Sequence, residues 1–450
     1  MKNFRLLSTS GTLKTRHITG LVVFFLFFLP VLVEARIYID INSPSLQKIK
    51  IAMPDFKDFS SSKEHPELAA EFPKILGNDL DLCGYFTAID KDAFLDEDGP
   101  KLTAKNINFK NWTAIGAEFL LKGGYTCYGR SVEVEVRLYD VLYGNQIMGK
   151  VFLGKIDDRG LVHRISNAII NAMTGRDGMF LSKIIFVGTA TGSKEIYQCD
   201  YDGYNAKQIT SDSSIAMYPR YSPKGDRIIY TSYKEDDSPM VYMQSLSSSR
   251  AVRVSGRDGL NYCPRWAPDN ENVVLALSFK GNSDIYKIDT SGKILKQLTT
   301  HWADDLSPTF SPDGKSMAFV SNRAGNPNIF IKDLKNGSEK RLTYENQFVN
   351  GGKYNTSPDW SSQDRIVFTQ MYDSAMDIFA IDPNGKNLKQ LTQDSGKNED
   401  PCWSPDGRYI AFSSNRDGGF HLYIMNANGQ NQRRITFLKG EQTAPSWSPF

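Results

Sequence analysis

One phrase recurs through the second half of the chain and constrains everything around it. It reads Pro219-Arg-Tyr-Ser-Pro-Lys, Pro264-Arg-Trp-Ala-Pro-Asp, Pro308-Thr-Phe-Ser-Pro-Asp, Pro358-Asp-Trp-Ser-Ser-Gln, Pro401-Cys-Trp-Ser-Pro-Asp and Pro445-Ser-Trp-Ser-Pro-Phe450. The copies recur at roughly 44 residues, the period of propeller blades rather than of helical solenoids. Six in-phase copies of one unit predict a closed ring and count against a β-sandwich with coincidental turns.

The copy from Pro308 to Thr343 shows what one unit contains. Pro308-Thr-Phe-Ser opens it as a strand, with the proline expected at the strand start. Pro312-Asp313-Gly314 is turn chemistry, in which proline presets φ and glycine supplies the positive φ. Two apolar strands follow, Ser316 to Ser321 and Asn328 to Asp333, and Lys340 to Thr343 is a fourth. Four short antiparallel strands make one blade. Before Pro219 the unit is incomplete: Ile184-Ile-Phe-Val, Glu195-Ile-Tyr-Gln-Cys and Lys207-Gln-Ile-Thr210 lack a first strand. The segment Ala444 to Phe450 is a first strand without a blade. Pairing the two closes the ring and removes two exposed sheet edges.

The remaining chain divides into a leader and a small domain. Lys2, Arg5, Lys14 and Arg16 precede the apolar run Leu21 to Val33, which is short for a bilayer span and ends in Val33-Glu34-Ala35. This predicts a secretory signal peptide over 1–35, cleaved near Ala35, with Arg36 first in the mature chain and a periplasmic destination. Residues 36–177 carry no repeat and predict an α/β domain; residues 178–450 form the all-β propeller. Arg36 to Ile41, Lys48 to Met53 and Ser131 to Leu138 read as strands. One helix follows Pro66, interrupted in pattern by Pro73; another is capped by Asp157 or Asp158 and stops before Gly175. The link from Arg176 to Phe180 is short, so little relative motion of the two parts is expected.

Net charge is +2 with no basic run, which argues against a nucleic-acid partner. Five cysteines fit no ligand spacing; Cys83 and Cys127 share the small domain and could pair after export, while the others read as buried thiols. No nucleophile elbow, P-loop or dinucleotide fingerprint occurs. His163 reads as a packing or surface histidine, and Asp304, Asp305, Glu399 and Asp400 read as a polar rim. No catalytic residue, metal site or cofactor is therefore expected.

In each repeat the two residues before the proline lead into the innermost strand, so all copies converge on one opening. They are Met217 and Tyr218, Tyr262 and Cys263, Leu306 and Ser307, Thr356 and Ser357, Glu399 and Asp400, and Thr443 and Ala444. They are expected to be exposed loop positions, and a mixed aromatic, apolar and acidic ring suits a protein partner. At the other end of the mature chain, Arg36, Ile37, Tyr38 and Ile39 can pair as an edge strand or be released to a partner by strand addition; the residues leave both open.

Several stretches resemble the TolB family, periplasmic propeller proteins of the Tol–Pal system. They are Gly116-Ala-Glu-Phe-Leu-Leu-Lys-Gly, Val136 to Val141, Leu161 to Ile169 running on to Thr174-Gly175, Asp202-Gly-Tyr-Asn205, and the terminal Pro445-Ser-Trp-Ser-Pro. The resemblance implies a monomeric, non-enzymatic scaffold that reaches the membrane only through its partners. It implies that the lipoprotein Pal binds at the propeller mouth, that TolA binds the N-terminal segment, and that the protein supports outer-membrane integrity and division. The chain departs from the pattern at Pro358, whose repeat lacks the second proline and the glycine, and at Asn270, which stands where glycine is usual. Other readings of the ring are the filter of a prolyl-oligopeptidase-like hydrolase, or a glycan-binding propeller with Tyr218 and Tyr262 as platforms.

Overall fold

The four-strand plan of the repeat is realised six times. The computed structural model describes residues 48–95, 102–235, 237–248, 250–344, 354–372 and 375–449. The leader, the strand expected at 36–41 and the arm Arg36, Ile37, Tyr38 and Ile39 lie outside these residues. Six four-stranded antiparallel sheets form the propeller. Blade one is built from Lys183–Gly188, Glu195–Asp200 and Lys207–Gln208, and takes its innermost strand from Gln442–Trp447 at the other end of the chain. Thr443 lies opposite Val187 and Trp447 opposite Ile184. Lys183 N donates to Ser448 Oγ and Ser448 N to Lys183 O, both at 2.8 Å, and Trp447 Nε1 donates to Ser182 Oγ at 2.6 Å. These bonds join residues 265 apart in sequence, so the ring closes as the repeat phase requires.

The innermost strands of blades two to six are Ala216–Tyr221, Asn261–Trp266, Asp305–Phe310, Tyr354–Trp360 and Asn398–Trp403. Each begins several residues before the repeat proline, which corrects the expectation that the proline starts the strand. The proline sits at a bulge instead: the register slips between Met217 and Arg220, Tyr262 and Arg265, Leu306 and Thr309, Thr356 and Asp359, Glu399 and Cys402, and Thr443 and Ser446. A residue without an N–H is accommodated inside a strand only where the ladder is already broken.

The α/β part is a mixed sheet with helices. Its strands are β1 (Ile49–Ala52), β2 (Lys57–Asp58), β3 (Phe86–Ala88), β4 (Phe119–Tyr128), β5 (Ser131–Asp140) and β6 (Gln146–Lys155), in the order β3-β1-β4-β5-β6 with β2 beside β4. The helices are α1 (Leu68–Leu82), a short α2 (Phe109–Ala114) not expected from sequence, and α3 (Arg159–Thr174). Helix α3 starts at Asp158, whose carboxylate accepts from Gly160 N, and stops at Gly175, which turns left-handed at φ 71°. Helix α1 runs through Pro73. The proline leaves the Ala69 carbonyl without its helical donor, and Phe56 N supplies the missing bond at 2.8 Å.

One apolar core runs from α1, α3 and the sheet into the first and last blades. It contains Leu76, Leu161, Ile165 and Ile169 together with Met179, Phe180, Ile184, Tyr201, Tyr409, Ile435 and Trp447. Of the link after α3, Met179 and Phe180 are thus buried between the two parts, while Arg176 and Asp177 stay exposed. All five cysteines are free, which corrects the proposed Cys83–Cys127 pair. Cys83 follows α1 at the propeller side, where its carbonyl accepts Tyr409 Oη at 3.0 Å. Cys127 lies near the far end of β4, and at roughly 3.3 Å per residue that strand carries it beyond disulfide reach.

Candidate functional site

The bulges give the ring its inner wall. The residue before each repeat proline adopts positive φ: Tyr218 53°, Cys263 49°, Ser307 51°, Ser357 50°, Asp400 52° and Ala444 50°. None is glycine, and each such conformation costs about 1–3 kcal/mol unless its surroundings hold it. Asp400 N donates to Thr369 Oγ1 of the preceding blade at 3.1 Å, and Ala444 N donates likewise to Ser413 Oγ at 3.2 Å. Together these six residues, the repeat prolines from Pro264 to Pro445, and Arg220 and Arg265 line a narrow throat of about 30 Å³ on the ring axis.

The structure therefore brings together the second member of every predicted pair. The first members lie one step nearer the opening. Met217, Glu399 and Thr443 border a recess of about 310 Å³ with Lys194, Phe420 and Glu441. Tyr262, Leu306 and Thr356 hold the equivalent strand position in their blades. All six first members are half-buried strand residues rather than the exposed loop residues expected. Tyr218 and Tyr262 meet edge to face with ring centroids 4.7 Å apart, and their hydroxyls lie 3.0 Å from each other. Ser307 Oγ donates to Cys263 Sγ at 3.5 Å, and Ser357 Oγ to Asp400 Oδ1 at 2.8 Å. Burial, with Asp400 alongside, pushes the Glu399 carboxyl up to about 7. Burial raises Asp400 as well, against the Ser357 hydrogen bond, and pushes the Cys263 thiol up to about 11. Asp305 does not belong to a polar rim: it is fully buried and held by Arg323 Nη2 at 2.9 and 2.8 Å.

Sequence reasoning missed the outer rim of this opening. Trp302, Tyr344 and Phe437 stand in the loops that join a fourth strand to the next innermost strand, and are 76%, 60% and 76% exposed. Each follows the Leu-Thr or Ile-Thr pair that ends its blade, by three, one and one residues. That position after the buried threonine was the available signal. The arrangement can grip a protein: a rigid mouth carries both apolar and acidic groups, and large exposed rings stand on the loops that lead into its strands, Tyr344 and Phe437 against Arg341 and Arg434 of the outermost strands.

A second constellation joins the α/β part to the ring. Asp79 of α1 is fully buried; its Oδ2 accepts Ser166 Oγ at 2.5 Å and His163 Nδ1 at 2.9 Å from α3, and its Oδ1 accepts Tyr201 Oη from blade one. His163 is thus a buried junction residue. Its Nε2 lies 3.7 Å from Asp202, which Arg159 holds through Nε and Nη2 at 2.9 and 2.7 Å. Among the described residues, Asp79, His163 and Asp202 are the group whose ligand atoms lie close enough to hold a metal. The two carboxylates, however, face opposite nitrogens of one imidazole, an arrangement that fixes the ring rather than shares an ion. Nearby, burial would raise the Asp81 carboxyl, but bonds from Arg433 at 2.8 Å and Lys48 at 3.0 Å outweigh it and lower it.

Comparison with known proteins agrees with this architecture. A family model described as the TolB beta propeller domain matches residues 170–450, and one described as the TolB amino-terminal domain matches 37–147. The Tol-Pal system protein TolB of Desulfosudis oleivorans is 42% identical over 285 residues, 63% of this chain and 65% of that protein. A TolB homolog of Chlorobium chlorochromatii is 36% identical over 295 residues, 65% of this chain and 66% of that protein. The chain thus spans just under two thirds of the length of these relatives. The crystal structure of TolB from Acinetobacter baumannii superposes with a TM-score of 0.76 at 26% identity, covering 90% of this chain and 97% of that one.

Proposed function

This chain belongs to the TolB family, and on that premise we propose that it is a non-enzymatic scaffold of the Tol–Pal system, exported to the periplasm. The lipoprotein Pal docks at the mouth of the propeller. The observation that carries this reading is the convergence of six bulged, positive-φ residues on one throat, with Trp302, Tyr344 and Phe437 exposed on loops that lead into the innermost strands. Strained backbone held by its surroundings concentrates where a rigid binding geometry is used. Exposed aromatic rings are the residue type that dominates protein hot spots. A stable partner covers on the order of 800 Å² per side, so both throat and rim belong to the contact.

TolA engages the N-terminal segment, with Arg36, Ile37, Tyr38 and Ile39 adding as a strand to the partner. Through these two attachments the protein supports outer-membrane integrity and division. Crosslinking in intact cells with a photoreactive residue at Tyr262 or Trp302 tests the docking site. Trapped Pal is the expected result; adducts that form only from positions on α1 or β6 would place the interface elsewhere.

A further inference from the structure

We propose that the end of the channel opposite the mouth is a binding site for a small oxyanion, a carboxylate or a phosphate, held by Arg220. This goes beyond the docking reading and does not depend on it. The residue after each repeat proline faces that end. In chain order these are Arg220, Arg265, Thr309, Asp359, Cys402 and Ser446: two cations and one anion on equivalent positions of the ring. All but Thr309 border a cavity of about 500 Å³, whose wall also carries Trp266, Trp403 and Trp447, and Arg220 and Arg265 reach the throat as well. That volume lies within the range of roughly 300–1,000 Å³ usual for small-molecule sites.

The single carboxylate is already committed. Arg265 places Nη1 and Nη2 each 2.8 Å from Asp359 Oδ1, with Nη1 also 3.0 Å from Thr309 Oγ1. Asp359 Oδ2 accepts Trp403 N at 2.8 Å. Arg220 donates once, from Nη1 to its neighbour's carbonyl, Pro219 O, at 2.9 Å. Among the described residues no carboxylate lies within the 4.0 Å of an ion pair with it. Burial and the adjacent Arg265 both lower its pKa, so the guanidinium is short of compensation. Asp400, on the throat side, is felt at a distance but is bonded to Ser357.

A second unsatisfied donor points to the same need. Three tryptophans of the repeat phrase have partners: Trp360 Nε1 bonds Asp364 at 2.9 Å, Trp403 Nε1 bonds Asp359 O at 3.1 Å and Trp447 Nε1 bonds Ser182 at 2.6 Å. Trp266 is 94% buried by its 6% exposure, lines the cavity, and its Nε1 has no partner. Buried donors are ordinarily satisfied. A planar guanidinium fork matches two oxygens of a carboxylate or phosphate.

The test titrates the purified mature chain with inorganic phosphate and, separately, with succinate, at constant ionic strength set with chloride. Calorimetry and thermal unfolding are both read. We expect saturable one-to-one binding of at least one probe, and the tighter one identifies the source of the oxyanion. Arg220→Met should weaken binding by at least roughly tenfold, while its ligand-free Tm stays level or rises because a half-buried cation beside Arg265 is gone. No saturable binding up to on the order of 10 mM overturns the proposal, as does unchanged affinity in Arg220→Met. A ligand-free Arg220→Met with a lower Tm, or one that does not fold, also overturns it, since the guanidinium would then be a structural partner.

Discussion

Replacing Tyr201 by phenylalanine removes one hydroxyl from the junction of α1, α3 and blade one. That hydroxyl donates to Asp79, a fully buried carboxylate that also takes Ser166 and His163. A hydrogen bond to a charged group contributes about 1.5–3 kcal/mol net, and leaving a buried acceptor short adds to the loss. Tyr201→Phe should therefore destabilise the protein by about 2 kcal/mol. In an Asp79→Ala background the hydroxyl has already lost its acceptor, so the same change should cost less than about 0.5 kcal/mol. The coupling energy of the cycle is then about 1.5–2 kcal/mol. Urea unfolding of the four proteins, followed by far-UV circular dichroism, gives it directly if the slopes agree. Because Asp79 lies in the α/β part and Tyr201 in the ring, such a coupling also requires both to unfold in one transition. Additive single effects, or two separated transitions with Tyr201→Phe silent in the first, would refute the reasoning.

Removing Gln442 to Phe450 strips blade one of its innermost strand and exposes a sheet edge, so the cooperative transition should be lost and aggregation should appear in sedimentation. Gly203 sits at φ +87°, and a Cβ there would stand 1.6 Å from the Ile435 carbonyl oxygen, so Gly203→Ala should cost about 3 kcal/mol or more in chemical denaturation. Glu399 has a folded pKa raised from 4.5 to about 7, chiefly by burial. Its stabilising contribution is therefore full below about pH 4.5 and is lost as pH rises through about 7. Wild type should lose stability across that window relative to Glu399→Gln, which should show a flatter profile; parallel pH profiles would contradict the assignment.

The blades were legible because their turns and apolar strands recur in phase, and the repetition made each weak local signal strong. Closure by the terminal strand followed from the same phase. The bulge did not follow: a proline reads as a strand start, and only the register slip within each blade shows Tyr218 or Asp400 turned to positive φ. In the α/β part, β5 announced itself by alternation, whereas β4 did not. It is buried along most of its length, and its Gly123-Gly124 looks like a turn. Those glycines instead make room for Phe56 and Phe59, whose rings would lie 2.4 and 2.2 Å from an added Cβ. The mouth positions were legible as convergence, since the ring places equivalent residues on one axis. Their half-burial and the aromatic rim were not, because Trp302, Tyr344 and Phe437 stand in loops of unequal length. For His163 the sequence left packing and surface open, because the partners that bury it, Asp79 and Asp202, come from distant segments.

The measurement that tests the docking account most directly is calorimetric titration of purified Pal into wild type and Leu306→Arg. Leu306 is half-buried at the mouth, so an arginine there should project into the opening and leave the fold intact. The account expects unchanged unfolding and a loss of affinity of at least roughly tenfold, equivalent to about 1.4 kcal/mol. A Leu306→Arg protein that unfolds like wild type and binds Pal equally tightly would contradict it.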